Sequence, residues 1–174
     1  MSNAVIRDAK REDVPQLLNI YNDVILHTTA VYSYHQHSLE MRYQWFDERI
    51  KTGFPVFVAE ENGIITGFSS YGHFRAWPAY KYTVENSVHV HKEYRGKGIA
   101  KLLLKALVDD AKQSNYHAMI AGIDAANEIS IKLHEGFGFV EVANFKQVGY
   151  KFGNWLDLKF FELIFDTPRH PTED

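Results

Sequence analysis

The chain has 174 residues, of which 45% are hydrophobic and 24% charged, with a net charge of -3 and no cysteine. A chain of this length can bury a core without covalent staples, and one domain is expected. The composition excludes general disorder, a disulfide framework, a thiolate zinc site and a cysteine nucleophile, and it shows no basic stripe for nucleic acid or a membrane surface.

The first ten residues lack the apolar stretch of a secretory signal, and no apolar run approaches the roughly 18 residues that span a bilayer. A soluble cytoplasmic protein is expected. Ala4 to Ala9 reads as a first strand. Val14, Leu17, Leu18, Tyr21, Val24 and Ile25 follow with the spacing of one helical face. Ser38 begins a second helix that runs through Ile50, stopped by Gly53 and Pro55. Phe54 to Glu60 and Ile64 to Tyr71 flank Asn62-Gly63, a hairpin signal. Gly72 to Lys81 is a connecting loop rich in aromatics. Tyr82 to Val90 alternates, with Val84, Asn86, Val88 and Val90 on one face and Glu85, Ser87 and His89 on the other. A glycine-rich turn, Arg95 to Ala100, then opens an apolar helix carrying Leu102, Leu103, Ala106 and Leu107. His117 to Ile123 is a strand and Glu128 to Glu135 a short helix, with Asn127 placed to cap it. Phe139 to Phe145 and Trp155 to Phe165 are the last strands. Residues 1–165 form the expected domain, and the tail 166–174 is expected to fray. The element order predicts an α+β (mixed α/β) fold, largely antiparallel in front with a β-α-β crossover behind.

The turn from Arg95 to Ala100 carries the most chemistry. A strand that runs through Arg95, Gly96, Lys97, Gly98, Ile99 and Ala100 into a helix aims backbone amides at one spot, and the helix N-terminus adds positive potential; this suits a pyrophosphate. No segment has the Gly-x-x-x-x-Gly-Lys-Ser/Thr pattern of a nucleotide P-loop. Gly96 and Gly98 begin a dinucleotide fingerprint, but Lys101 stands where its third glycine belongs. Arg95, Gly98 and Ala100 do satisfy Gln/Arg-x-x-Gly-x-Gly/Ala, the signature of the GCN5-related N-acetyltransferases (GNAT). The element order resembles that superfamily from residue 4 to residue 165. Three segments, Thr83 to Val90, Leu133 to Phe139 and Val148 to Asp157, resemble its phosphinothricin and methionine sulfoximine acetyltransferase branch.

The resemblance implies a single-domain GNAT fold with a central, mostly antiparallel, splayed sheet flanked by helices, acetyl-CoA as co-substrate, no metal, and a homodimer. It implies acetyl transfer to the α-amine of a small amino acid or analogue: phosphinothricin, methionine sulfoximine, methionine sulfone or an ordinary L-amino acid. Glu85 becomes the base that deprotonates the acceptor ammonium, where a lone strand glutamate would otherwise read as solvated. His134 becomes a candidate proton donor for the departing thiolate, with a structural histidine as the rival reading. Val88, His89 and Val90 line the pantetheine arm. Arg95, Gly96, Lys97, Gly98, Ile99 and Ala100 hold the pyrophosphate, and Asn127 and Ser130 contact the CoA arm, although Asn127 also suits a plain helix cap. Arg75 is placed to hold the acceptor's anion through two parallel bonds, with Tyr32, Tyr34 and Trp77 walling the pocket. The pairs His35-x-His37 and His89-x-His91 read as chance spacing rather than metal ligands. Two other readings stay open: acetylation of protein N-termini or other amines, and a non-catalytic acyl-CoA-binding domain.

Overall fold

The computed structural model describes residues 3–173. Its strands are β1 (Val5–Asp8), β2 (Val56–Glu61), β3 (Ile64–His73), β4 (Thr83–Val90), β5 (Ala118–Asp124), β6 (Val140–Lys151) and β7 (Asn154–Ile164), and its helices are α1 (Val14–His27), α2 (Leu39–Lys51), α3 (Ile99–Gln113) and α4 (Glu128–Glu135). The strand order is β1-β2-β3-β4-β5-β7-β6. The described residues divide into two compact units, one made of residues 3–70 and 87–107, the other of 71–86 and 108–173.

In the first unit β1 and β3 both pair antiparallel with β2. Asn62 and Gly63 turn the β2–β3 hairpin with φ of 54° and 79°, the left-handed pair that matches strand twist. Val14, Leu17 and Ile20 of α1 and Phe46 of α2 bury their apolar stripe against Val56, Val58, Ile65 and Phe68. Ile20 takes the core position that the spacing gave to Leu18, which is half-buried. Ser38 caps α2 by accepting from the Met41 amide at 3.2 Å. Pro15 is tolerated at the second residue of α1 because its missing N–H has no intrahelical partner there. Arg7 ties β1 to the start of α1 through Asp13 at 2.7 Å and to β2 through Glu60 at 2.6 Å.

In the second unit β4 pairs parallel with β5 over Thr83–Ala118, Val84–Met119 and Glu85–Ile120. β7 lies antiparallel between β5 and β6. β6 is longer than the pattern predicts. It runs on past Phe145 to Lys151 through a register shift between Phe145 and Gly149. There Gln147 adopts φ of 54°, and its amide donates to Asp157 at 2.9 Å while Lys146 reaches the same carboxylate. Phe152 and Gly153, with φ of 51° and 77°, close the β6–β7 hairpin. A phenylalanine at positive φ gives no turn signal, so the strand pairing hid its length. The tail makes hydrogen bonds to the rest of the second unit. The Thr167 hydroxyl donates to the Tyr116 carbonyl at 2.6 Å, and the Thr172 amide donates to the Tyr82 hydroxyl at 3.0 Å.

Candidate functional site

In the first unit, α3 starts directly after the glycine-rich turn. Gly96 and Gly98 take φ of 76° and 85° and have open space around them. Only glycine reaches such values without strain, and the turn leads directly into a 15-residue helix, an arrangement whose amides can face an anion. Arg95 donates through Nε to the Val90 carbonyl at 3.3 Å and lies 3.6 Å from Asp23. The Lys97 ammonium sits 4.4 Å from the Tyr94 ring centroid. Ile99 is buried with Leu103 and Ala59, and Val88 and Val90 pack against that group. The turn is thus anchored from below by the apolar face of α3.

His89 faces the opposite side. Its ring lies 5.1 Å from Phe68 and 5.4 Å from Tyr21. Burial, and then the Arg42 charge, pushes its pKa down to about 4. The imidazole is a neutral core group, so a cofactor can meet His89 only through its backbone. Tyr32 and Tyr34 lie in the irregular segment between α1 and α2, and both are exposed.

In the second unit, Glu85 stands mid-strand and half-buried on β4. A methyl group added at Gly122 of β5 would lie 3.2 Å from Glu85 Oε1, so the carboxylate rests over a bare backbone. Burial raises the Glu85 pKa and the Arg75 charge pulls against it. Arg75 is exposed; it donates to the Phe74 carbonyl at 2.9 Å and lies over the Phe74 ring. Trp77 is 75% exposed.

The next residue, Asn86, was not among the expected site residues. The parallel ladder ends at Glu85–Ile120, and the Asn86 side chain takes over, its Nδ2 donating to the Ile120 carbonyl at 3.1 Å. Its Oδ1 lies 3.2 Å from His134 Nε2. The available signal was one amide on a strand face otherwise made of valines, since a polar group there needs partners. His134, 4% exposed, also places Nδ1 at 2.8 Å from the Ser130 carbonyl. Both neighbours are acceptors. Burial lowers the His134 pKa, and the Ser130 carbonyl opposes that. The neutral ring is therefore expected to carry its proton on Nδ1, leaving the Nε2 lone pair toward Asn86. Long-range proton–nitrogen correlation spectra read the tautomer directly; a neutral ring protonated on Nε2 would contradict this assignment. Asn127 accepts from the Ser130 amide at 3.1 Å and so caps α4. Among the described residues, no group of three or more His, Asp or Glu side chains could hold a metal, and no helix is long and apolar enough to cross a membrane.

Comparison with known proteins finds similar chains and similar folds. The model of the acetyltransferase (GNAT) family matches residues 16–139. The chain is 42% identical to the L-methionine sulfoximine/L-methionine sulfone acetyltransferase of Salmonella typhimurium, covering 95% of this chain and 97% of that one. The structure of a Sinorhizobium meliloti phosphinothricin acetyltransferase in complex with acetyl-CoA superposes with a TM-score of 0.93 at 32% identity, covering 98% and 93% of the two chains. A Brucella melitensis structure described as ribosomal-protein-alanine N-acetyltransferase gives 0.91 at 45% identity, covering 92% and 99%.

Proposed function

The chain belongs to the acetyltransferase (GNAT) family, and on that premise we propose that this acetyl-CoA-dependent N-acetyltransferase acts on the α-amine of a small amino acid or amino-acid analogue. Methionine sulfoximine, methionine sulfone and phosphinothricin are the first acceptors to consider, because the relatives described above carry those names. The observation that carries the reading is the half-buried Glu85 carboxylate with its raised pKa, seated on the strand that also supplies Val88 and Val90. Bound acetyl-CoA supplies the reactive thioester. The amides of Arg95 to Ala100 bind its pyrophosphate, and the backbones of Val88, His89 and Val90 orient the pantetheine arm. Glu85 takes a proton from the acceptor ammonium, since only the neutral amine is a nucleophile. The acceptor then attacks directly, with no covalent enzyme intermediate.

The neutral ring that carries its proton on Nδ1 has none at Nε2 to give, so we assign His134 the structural role, holding Asn86 beside the end of the β4–β5 ladder, and the departing thiolate takes its proton from solvent. Asn127 and Ser130 keep their assignment to the CoA arm, Asn127 through the amide nitrogen left over from capping. Arg75, exposed beside Phe74, is assigned to the acceptor's anion, and Tyr32, Tyr34 and Trp77 to its surroundings. The protein is placed in the cytoplasm, away from membrane and nucleic acid. Val148, Tyr150, Phe152 and Trp155 expose a continuous apolar stretch of the β6–β7 hairpin, which supports a homodimer that sedimentation can read.

The test is thiol release from acetyl-CoA against free amino acids, their sulfone, sulfoximine and phosphinate analogues, and a peptide with an N-terminal alanine. The chain has no cysteine to give background. Turnover on a free amino acid or analogue, abolished by blocking its amine, is the expected result. Turnover confined to the peptide would favour the second reading, which the Brucella likeness supports. CoA binding without turnover on any acceptor would favour a sensing domain.

A further inference from the structure

Arg42 is the most deeply buried charge among the described residues, at 1% exposure. It projects from α2 into an aromatic cage, with its guanidinium carbon 3.7 Å from the Tyr21 ring centroid, 4.5 Å from Trp45 and 5.9 Å from Phe68. Ring faces stabilise a cation but do not satisfy its in-plane donors. Two of those donors, Nε and Nη2, are sealed from solvent and have no hydrogen-bond partner. No carboxylate acts on the group; its electrostatic partners are Tyr21, through charge and a side-chain hydrogen bond, and the like charge of Arg49. Each buried donor left unmade is costly, and such orphans ask for a missing ligand.

The two orphaned atoms define the ligand. Nε–H and one Nη2–H are the parallel pair on the side edge of a guanidinium, the edge that grips both oxygens of a planar carboxylate. The cage also holds a third unpaired buried nitrogen, His37 Nδ1, whose ring packs 4.9 Å from that of Tyr21. Burial and the Arg42 charge keep both His37 and His89 from protonating readily, so neither competes as a second cation. His37 closes the irregular segment between α1 and α2 through a reciprocal pair of bonds with Asn22, at 2.9 and 3.0 Å.

We propose that the Nε–Nη2 edge of Arg42 is a carboxylate-binding site, closed over by His37. Two sources share that chemistry: a small free carboxylate held as a counter-ion inside the fold, or the carboxylate of the amino-acid acceptor, in which case Arg42 and not Arg75 holds that anion. The second rests on the function proposed above; the first does not.

Thermal melts of the full chain at matched ionic strength separate the cases. The ligands are sodium formate, sodium chloride, L-methionine sulfone and the carboxamide of that sulfone. The site predicts a higher Tm with formate than with chloride, or with the sulfone than with its carboxamide, which lacks the carboxylate. Arg42→Lys, which keeps the charge but loses the parallel fork, is expected to abolish the difference. If the acceptor is the source, Arg42→Lys also raises KM for the sulfone by about tenfold or more, with kcat and the KM for acetyl-CoA near their original values. If free carboxylate is the source, the formate effect appears and KM for the sulfone does not move. Carbon-13 spectra of labelled formate with the unmodified protein give the same answer should the variant not fold. Equal shifts with chloride and formate, together with equal shifts for the sulfone and its carboxamide, would overturn the proposal. A formate effect in a protein that acetylates no amine would leave this site standing while the proposed function fell.

Discussion

Glu85→Gln is expected to lower kcat by about 10²- to 10⁴-fold, the range that a positioned general base contributes, while acetyl-CoA binding measured by calorimetry stays near its original value. Glutamine keeps the shape over Gly122 and loses only the ability to accept the proton. The pH profile supplies the second half of the result. The base works ionised, so kcat/KM falls as pH drops through the Glu85 pKa. Burial has raised that pKa, which places the acid limb above the ordinary carboxylate range. Arg75 pulls the pKa down, so Arg75→Gln is expected to move the limb to still higher pH, and Glu85→Gln to remove it. Unchanged turnover in Glu85→Gln would take this residue out of the mechanism.

The largest effect on stability is expected from a glycine with no unusual backbone angle. At Gly67 of β3, an added methyl would meet the His89 carbonyl at 2.9 Å, Leu103 at 3.0 Å and Ile99 at 3.2 Å. The carbonyl belongs to a strand whose neighbouring His91 amide donates back to Thr66 at 2.9 Å, so the backbone has little freedom to retreat. Gly67→Ala therefore overpacks the core beneath the Arg95–Ala100 turn, at a cost of about 1–3 kcal/mol. For a chain of this size that corresponds to roughly 2–4 °C of Tm for each kcal/mol. Acetyl-CoA affinity should weaken with it, because Ile99 is both the contact and the first residue of α3. Gly53→Ala is the control: its φ is 76° and nothing stands within 4 Å, so it tests backbone strain without overpacking. A Gly67→Ala protein as stable as the original would show that β3 and β4 can separate at that point.

The amino-acid sequence by itself determined the elements and the glycine-rich turn before α3. Helical spacing from Val14 to Ile25, strand alternation from Tyr82 to Val90 and the Asn62-Gly63 turn are local properties, each written in neighbouring residues. The glycines at 96 and 98 are local for the same reason, since the turn needs their positive φ whatever surrounds it. The candidate base was visible only because Glu85 lies inside a motif with a family resemblance; alternation alone reads it as a solvated strand residue. What tertiary structure decided is which side chains lose water and which partners they meet. It turned the His89 ring into a neutral core group, set Glu85 over Gly122, and enclosed Arg42 among rings with two donors unpaired. It also brought Asn86 to His134 across 48 positions of sequence. Burial and non-local pairing depend on chain segments far apart in order, so no window of sequence contains them. The same reason hid the length of β6, whose register break is held by Asp157 of the strand beside it.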